Sequence, residues 1–451
     1  MKLTSISLAA SLAVSLAVAG GEITPVQETV PKAETKVDYG TVFGQSRTFY
    51  IDRTYKGSIE NNRNSLATGG YVGYKTPDFD GLSATVALYG VYGFDIHDKD
   101  AKVAGSSSYD PSLYGDGFKN YLFLGEAYLS YSYENTTFKV GRQRLDTPLA
   151  GADDARMLPN LFEAAVLSNT DIKDTTLILA HVTKESVGTF GNVYTPGALS
   201  LQSGYGLGFK EATSGKFRDM GVVALGKGTN TDGVTAVAAI YSGIPGLKLQ
   251  AWDYYAHDIL NALYLQADYS WDCLIVDGAK MSASAQYINQ TEVGDKLAGD
   301  VDSNYWGLKL AAKYGNFNIY GAYSQTDSSV GSAMNGGVIT PWGGMPAFTQ
   351  GMVTRHQFFA DTDAWKVGAS YNLKDYGVPL VAAVYHAQYD IGKANTYKEN
   401  VAWKAKESGV DLTYKPSFVD NVEMRLRANF PTDFAPGLDW DEYRFIINYN
   451  F

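Results

Sequence analysis

Tyr443-Arg444-Phe445-Ile446-Ile447-Asn448-Tyr449-Asn450-Phe451 closes the chain, and every odd position in it is apolar or aromatic. Shortly before it, Val422-Glu423-Met424-Arg425-Leu426-Arg427-Ala428-Asn429-Phe430 alternates in the opposite phase, with even positions apolar and odd ones polar. A period of two places successive side chains on opposite faces of an extended strand. The same texture recurs in Trp365 to Leu373, in Phe317 to Tyr323, and in Leu263 to Trp271, where Gln266, Asp268 and Ser270 share the polar face. No long stretch follows a 3.6-residue period, so no large helix is expected.

Outward from this end, segments of this kind continue back to about residue 37, separated by Gly, Asp, Asn and Pro. Their tally is eighteen, within a range of sixteen to twenty; the doubtful place is 185–232, where Met220 to Gly226 reads as a further strand. Tyr or Trp often stands at the ends of the apolar faces: Trp365 and Tyr371, Tyr443 and Tyr449, Tyr305 and Tyr314. A bilayer's two interfaces select aromatics at such places. Tight connections, at 131–137 and 313–317, alternate with long ones around 95–121, 185–232 and 327–361. The expected fold is therefore all-β: an antiparallel transmembrane barrel of about eighteen strands, an even number that returns both termini to the periplasm. A barrel of that size is expected to enclose a water-filled lumen.

Composition agrees. The 451 residues are 45% hydrophobic and 19% charged, with a net charge of -11. This is too apolar for a disordered chain, and a mean hydropathy of -0.18 is too polar for a helical membrane bundle. The acidic balance argues against nucleic acid as a partner. The 33 Tyr outnumber Phe and Trp together, and strand ends at an interface give them a place. Cys273 is the single cysteine, which excludes an intramolecular disulfide and a thiolate metal cluster.

Residues 1–19 read as a signal peptide: Lys2, an apolar stretch to Val18, and the small-x-small site Ala17-Val18-Ala19. Residues 20–36 read as a polar, Pro-containing periplasmic lead-in, and 37–451 as one barrel domain.

Several stretches resemble the OprD family of bacterial outer-membrane porins. They are Gly44 to Tyr55, with its Arg/Tyr/Arg run; Phe138-Lys139-Val140-Gly141-Arg142-Gln143; the following Ala152 to Ala164; and the terminal Phe451. The resemblance implies an eighteen-stranded barrel in a Gram-negative outer membrane, an inward-folded third loop and passive uptake of small hydrophilic solutes and ions. Small carboxylates, amino acids or peptides are among the solutes it implies. It also implies that the insertion machinery reads Phe451, and leaves monomer and homotrimer both open.

A pore selects by width and lining charge. The third loop, 145–161, is expected to form the constriction, with Asp146, Asp153 and Asp154 supplying negative potential and Arg156 a partner charge. Asp153 and Asp154 serve equally well as anchors for the loop's own backbone. Strand parity turns Arg425, Arg427, Arg444, Lys366 and Lys374 to the lumen as a basic wall. Arg142 breaks parity, falling on the face of Phe138 and Val140: either a bulge near Gly141 turns it inward or the strand has already left the hydrocarbon region, and the bulge is expected because the resemblance implies that Arg142 is a pore residue. Arg47 and Arg53 meet the same difficulty beside Phe49 and Ile51. No cofactor and no metal site is expected. Two other classes compete. An outer-membrane hydrolase lacks any Gly-x-Ser-x-Gly or His-Glu-x-x-His signature here. A secreted soluble β-protein would use the exposed Tyr as carbohydrate platforms.

Overall fold

The computed structural model describes residues 39–57, 62–96 and 109–451; the expected signal peptide and lead-in lie outside the described residues. The first strands are β1 (Thr41–Lys56), β2 (Asn62–Lys75), β3 (Leu82–Phe94), β4 (Tyr121–Tyr133), β5 (Thr136–Gln143), β6 (Leu161–Asn169) and β7 (Thr175–Ser186). A two-residue strand, β8 (Arg218–Asp219), is followed by β9 (Val234–Ile244), β10 (Leu247–Ala256), β11 (Leu260–Asp272), β12 (Ala279–Thr291) and β13 (Asp302–Tyr314). The last are β14 (Phe317–Thr326), β15 (Thr362–Asn372), β16 (Leu380–Ile391), β17 (Trp403–Tyr414), β18 (Val422–Thr432) and β19 (Asp439–Asn450).

Each strand runs antiparallel to its neighbours, and β1 pairs with both β2 and β19, so the sheet closes on itself. β7 pairs directly with β9, while β8 only extends the ladder opposite Lys184 and Glu185. Eighteen strands thus form the wall and β8 is extra. The expected fold class holds, and closure removes the unpaired edges that an open sheet would expose.

The two-residue period decides which face meets lipid. Leu426, Phe445, Val367 and Leu308 point outward and are exposed, whereas Arg427, Arg444, Lys366 and Asp411 alternate with them and are buried within the barrel. Tyr443 and Tyr449 mark the two ends of the outward stripe on β19, both exposed. Tyr305 departs from the expected pattern. It faces inward and is fully buried, and Trp306 takes the outward place at that end of β13.

The lumen is not simply water-filled. Long loops fold back into it and bring their own apolar side chains. Leu149, Phe190, Tyr205, Met220, Trp342 and Phe358 come from loops and pack with Trp252, Tyr254, Tyr264, Ile288 and Tyr305 of the wall. Residues Met220–Leu225 form a short helix, α1, and not the strand the sequence suggested. Asp219 caps it by accepting the Gly221 amide, and the apolar run is buried inside the plug, where a two-faced pattern is not required. The same filling accounts for β1. Phe49 and Ile51 face inward with Arg47 and Arg53, and pack against Leu113, Tyr114, Met157 and Leu158 of the infolded loops.

Candidate functional site

β5 has 8 residues where its partner β4 has 13. Beyond Gln143 the chain therefore leaves the wall, and residues 144–160 cross the lumen before β6 begins. Thr147 and Ala150 close a turn, with the Thr147 amide and hydroxyl both donating to the Ala150 carbonyl at 3.0 and 2.7 Å. Asp146 accepts the Ala152 amide at 3.2 Å and pairs with Arg144 at 3.3 Å. The tip reaches the far wall, where the Tyr254 hydroxyl accepts the Leu149 amide at 3.3 Å.

A second infolded loop, 327–361, meets this one. The Gly151 amide donates to the Trp342 carbonyl at 2.9 Å, and the Trp342 indole donates to the Met220 carbonyl of α1 at 3.1 Å. Gly343 sits at the crossing with φ +79°, and an added Cβ would lie 2.2 Å from the Gly151 carbonyl oxygen. Only glycine fits such an approach. The apolar run Pro341 to Gly351 is buried against its own barrel almost throughout.

Four ion clusters brace the interior, two joining loop to wall, one joining loop to loop and one lying on the wall itself. Asp154 takes Arg47 at 2.6 Å and Arg144 at 3.3 Å. Burial alone would raise its carboxyl, but the two guanidiniums outweigh that and hold it below the ordinary carboxylate value. Asp153, at φ +39°, takes Arg355 in a two-pronged pair at 2.7 and 3.0 Å and accepts the Tyr205 hydroxyl at 2.9 Å. Glu442 gathers Arg53 at 2.6 Å, Arg444 at 2.5 Å and Arg156 at 3.5 Å. Asp411 gathers Arg425 at 2.5 Å and Arg427 at 3.0 Å.

The expected site residues divide accordingly. Asp146, Asp154 and Arg425 are partly exposed within the barrel, at 28, 21 and 19% of their side chains. Asp153 is largely enclosed and bonded to loop residues, the anchoring alternative. Arg156 is wholly enclosed, with Phe190 4.2 Å from its guanidinium, so it reaches no open path. Burial and the neighbouring Arg444 push its guanidinium below the usual value, with Glu442 and Asp110 opposing. Arg427 and Arg444 face inward but are likewise buried, and the Lys366 ammonium donates to the Gln350 carbonyl at 2.7 Å. Lys374 lies exposed in the turn after β15, away from the wall.

Arg142 is a correction. β5 keeps continuous register with β4 and β6 through Gly141, so no bulge turns Arg142 inward. The bulges lie beside it, in β4 and β7. Arg142 stays on the outward face, where Glu163 lies 3.6 Å away and the Phe217 ring 4.3 Å away.

The sequence reading missed Asp411 and Glu442, which bind these bases, and Glu407, which accepts the amides of Met352, Val353 and Thr354. The signal was present in β17, where Glu407 and Asp411 share the inward parity.

With the closed eighteen-strand wall and its infolded loops in view, the family is settled by sequence. The profile of the outer membrane porin, OprD family, matches residues 37–193 and 195–451. The chain belongs to the OprD family. It is an outer-membrane porin, a passive diffusion channel for small solutes. Among proteins of curated function none matches. Solved structures from Pseudomonas aeruginosa share this porin's fold. OccK1 (OpdK) superposes with a TM-score of 0.72 at 16% identity, covering 91% of this chain and 98% of that one. OpdK with vanillate gives 0.72 at 17% identity over 91% and 98%. OccK2 (OpdF) in complex with glucuronate gives 0.70 at 15% identity over 92% and 99%.

Proposed function

We propose that this porin prefers small carboxylates, and that Arg425 on the β18 wall draws them past the loops. The observation that carries the reading is Arg425, which is partly exposed in the lumen while it and Arg427 share the single carboxylate of Asp411. The lumen thus presents a partly exposed base, Arg425, and the partly exposed acids Asp146 and Asp154 of the loop, and lining charges of both signs orient a solute with one charged end. The relatives crystallised with vanillate and glucuronate hold carboxylates, which supports the same class.

Asp153 and Arg156 are assigned to holding the constriction, while Asp146 and Asp154 line it. Arg142 has no part in the pore. The lumen works by passage and carries out no bond chemistry. The outward aromatics Tyr443, Phe445 and Tyr449 with Phe451, all exposed, form the signal the insertion machinery reads.

The test is flux into liposomes of a small carboxylate, its amide and its amine analogue. The reading requires the carboxylate to enter fastest and Arg425→Gln to narrow its lead. Equal rates for all three would overturn it.

A further inference from the structure

Cross-strand register sets a polar panel on the inner face of four neighbouring strands. Asp268 of β11 stands opposite Ser284 of β12, and Ser284 opposite Lys309 of β13. One inward row away, Gln250 of β10 stands opposite Gln266, and Gln266 opposite Gln286. These residues share strand phase with Trp252, Tyr264, Ile288 and Tyr305, which pack inside the barrel. All but Gln286 are partly exposed, so the panel meets the lumen.

The panel is fixed in place by its own hydrogen bonds. The Tyr264 hydroxyl donates to Gln266 Oε1, and Gln286 Nε2 donates to the same oxygen at 3.0 Å. Gln266 Nε2 in turn donates to Asp268 at 2.7 Å, and the Trp252 indole donates to Gln250 at 3.2 Å. Lys248 stands opposite Asp268 but makes no ion pair with it among the described residues. The Asp268 carboxylate therefore keeps acceptor capacity toward the lumen, unlike Glu442, which is enclosed by guanidiniums. Beside the panel, the 327–361 loop presents Phe348, partly exposed, with its ring 5.5 Å from the Lys309 ammonium.

We propose that this panel is a solute subsite that reads hydroxyl groups, so that the carboxylates favoured by the pore are polyhydroxylated ones of sugar-acid type. The proposal rests on the carboxylate preference argued above. A hydroxyl donates and accepts at once. Asp268 accepts, Lys309 and the glutamine amides donate, and Ser284 does both. The Phe348 ring gives the C–H face of a pyranose a surface to lie on. Polar groups already held in position discriminate against an analogue without hydroxyls, which would displace their water and replace none of its bonds.

The test is the bi-ionic reversal potential in planar bilayers, comparing galacturonate with cyclohexanecarboxylate, a ring acid of the same charge that lacks hydroxyls. Galacturonate is the bulkier ion, yet its permeability should be higher by about threefold, within the worth of one net hydrogen bond. The double variant Gln250→Leu with Gln266→Leu, and separately Phe348→Ala, should each bring the ratio close to one. Arg425→Gln should lower both permeabilities and leave their ratio as it is. If the double variant fails to fold, Gln250→Leu alone and Phe348→Ala, both at partly exposed positions, carry the test. Equal permeability of the two acids in the natural protein, or an unchanged ratio in these variants, would overturn the proposal and leave the carboxylate preference standing. If cyclohexylammonium outran both acids, that preference would fall and the subsite with it.

Discussion

The Thr354 amide lies 2.6 Å from Glu407 Oε2, and the amides of Met352 and Val353 converge on the same carboxylate at 2.9 and 3.3 Å. One wall glutamate thus takes three consecutive N–H groups of the 327–361 loop, a concave arrangement suited to an anion. Tyr385 and Asn429 donate to it as well.

Glu407→Ala should therefore release that loop from the wall. Three buried amides would lose a charged acceptor, at roughly 1–3 kcal/mol each. The expected result is a larger and noisier single-channel conductance, with protease cleavage appearing inside 345–357. Quiet channels of unchanged size would contradict this account of the latch.

Arg156 and Arg425 should behave oppositely. Arg156 is enclosed with Glu442, so Arg156→Ala leaves a cavity and reduces the charge compensation of a buried acid, a change that costs about 3–5 kcal/mol. Heat-modifiable gel mobility, the mark of a folded barrel, should weaken or disappear. Arg425→Gln should fold normally and shift the reversal potential in a salt gradient toward cations. Its carboxylate flux should fall about fivefold, the worth of roughly 1 kcal/mol for a charge acting through water.

His356 makes the inner loop pH-sensitive. It is fully buried, with Nε2 2.7 Å from the Phe434 carbonyl, and burial pushes its imidazole down to about 4, the carbonyl opposing. In the unfolded chain the value is about 6.5. The unfolded state therefore binds the proton more readily between these two values. Stability is full above pH 6.5, declines as pH falls toward 4, and levels off below, with roughly 3 kcal/mol at stake. Limited proteolysis across this window should show the loop opening at pH 4–5, and His356→Gln should flatten the profile.

Asp154→Asn should slacken the third loop without unfolding the barrel. Arg47 would keep only neutral acceptors while Arg144 would keep Asp146, and the lost carboxylate would leave more positive potential in the lumen. Anion preference should rise while the melting temperature changes by no more than a few degrees. A shift toward cations would show that Asp154 does not act on passing solutes.

The wall was readable because lipid and water on its two sides impose a strict period of two. The alternating stretches 443–451 and 422–430 fall, but for the terminal Phe451, within β19 at 439–450 and β18 at 422–432. The period loses its meaning where loops replace water inside. Phe49 and Ile51 resemble lipid-facing residues in sequence, yet the loop carrying Met157 and Leu158 gives them an apolar partner within. Met220 to Leu225 has apolar surroundings on all sides, so its helix is marked only by Asp219 before it and by Gly226, at φ +101°, after it. Arg142 shows the converse error. Its parity was right, and the bulge favoured by the family resemblance is absent at Gly141. The acids Glu407, Asp411 and Glu442 went unread because strand phase tells which face a side chain takes, not which distant loop it meets.

Arg53 and Glu442 stand directly opposite one another where β1 meets β19, the seam between the two ends of the chain. This pairing can form only after all the other strands are in place, so the last event of assembly must choose an alignment between strands nearly the whole chain apart. A slip of two residues would keep every side chain on its proper face and would go unnoticed by the lipid. It would not go unnoticed by Glu442, which would lose Arg53 and its direct cross-strand partner while staying shut away from water with Arg444 and Arg156 alone. The buried pair thus acts as a check on correct sealing: a misaligned cylinder is left with an under-compensated charge and a reason to reopen.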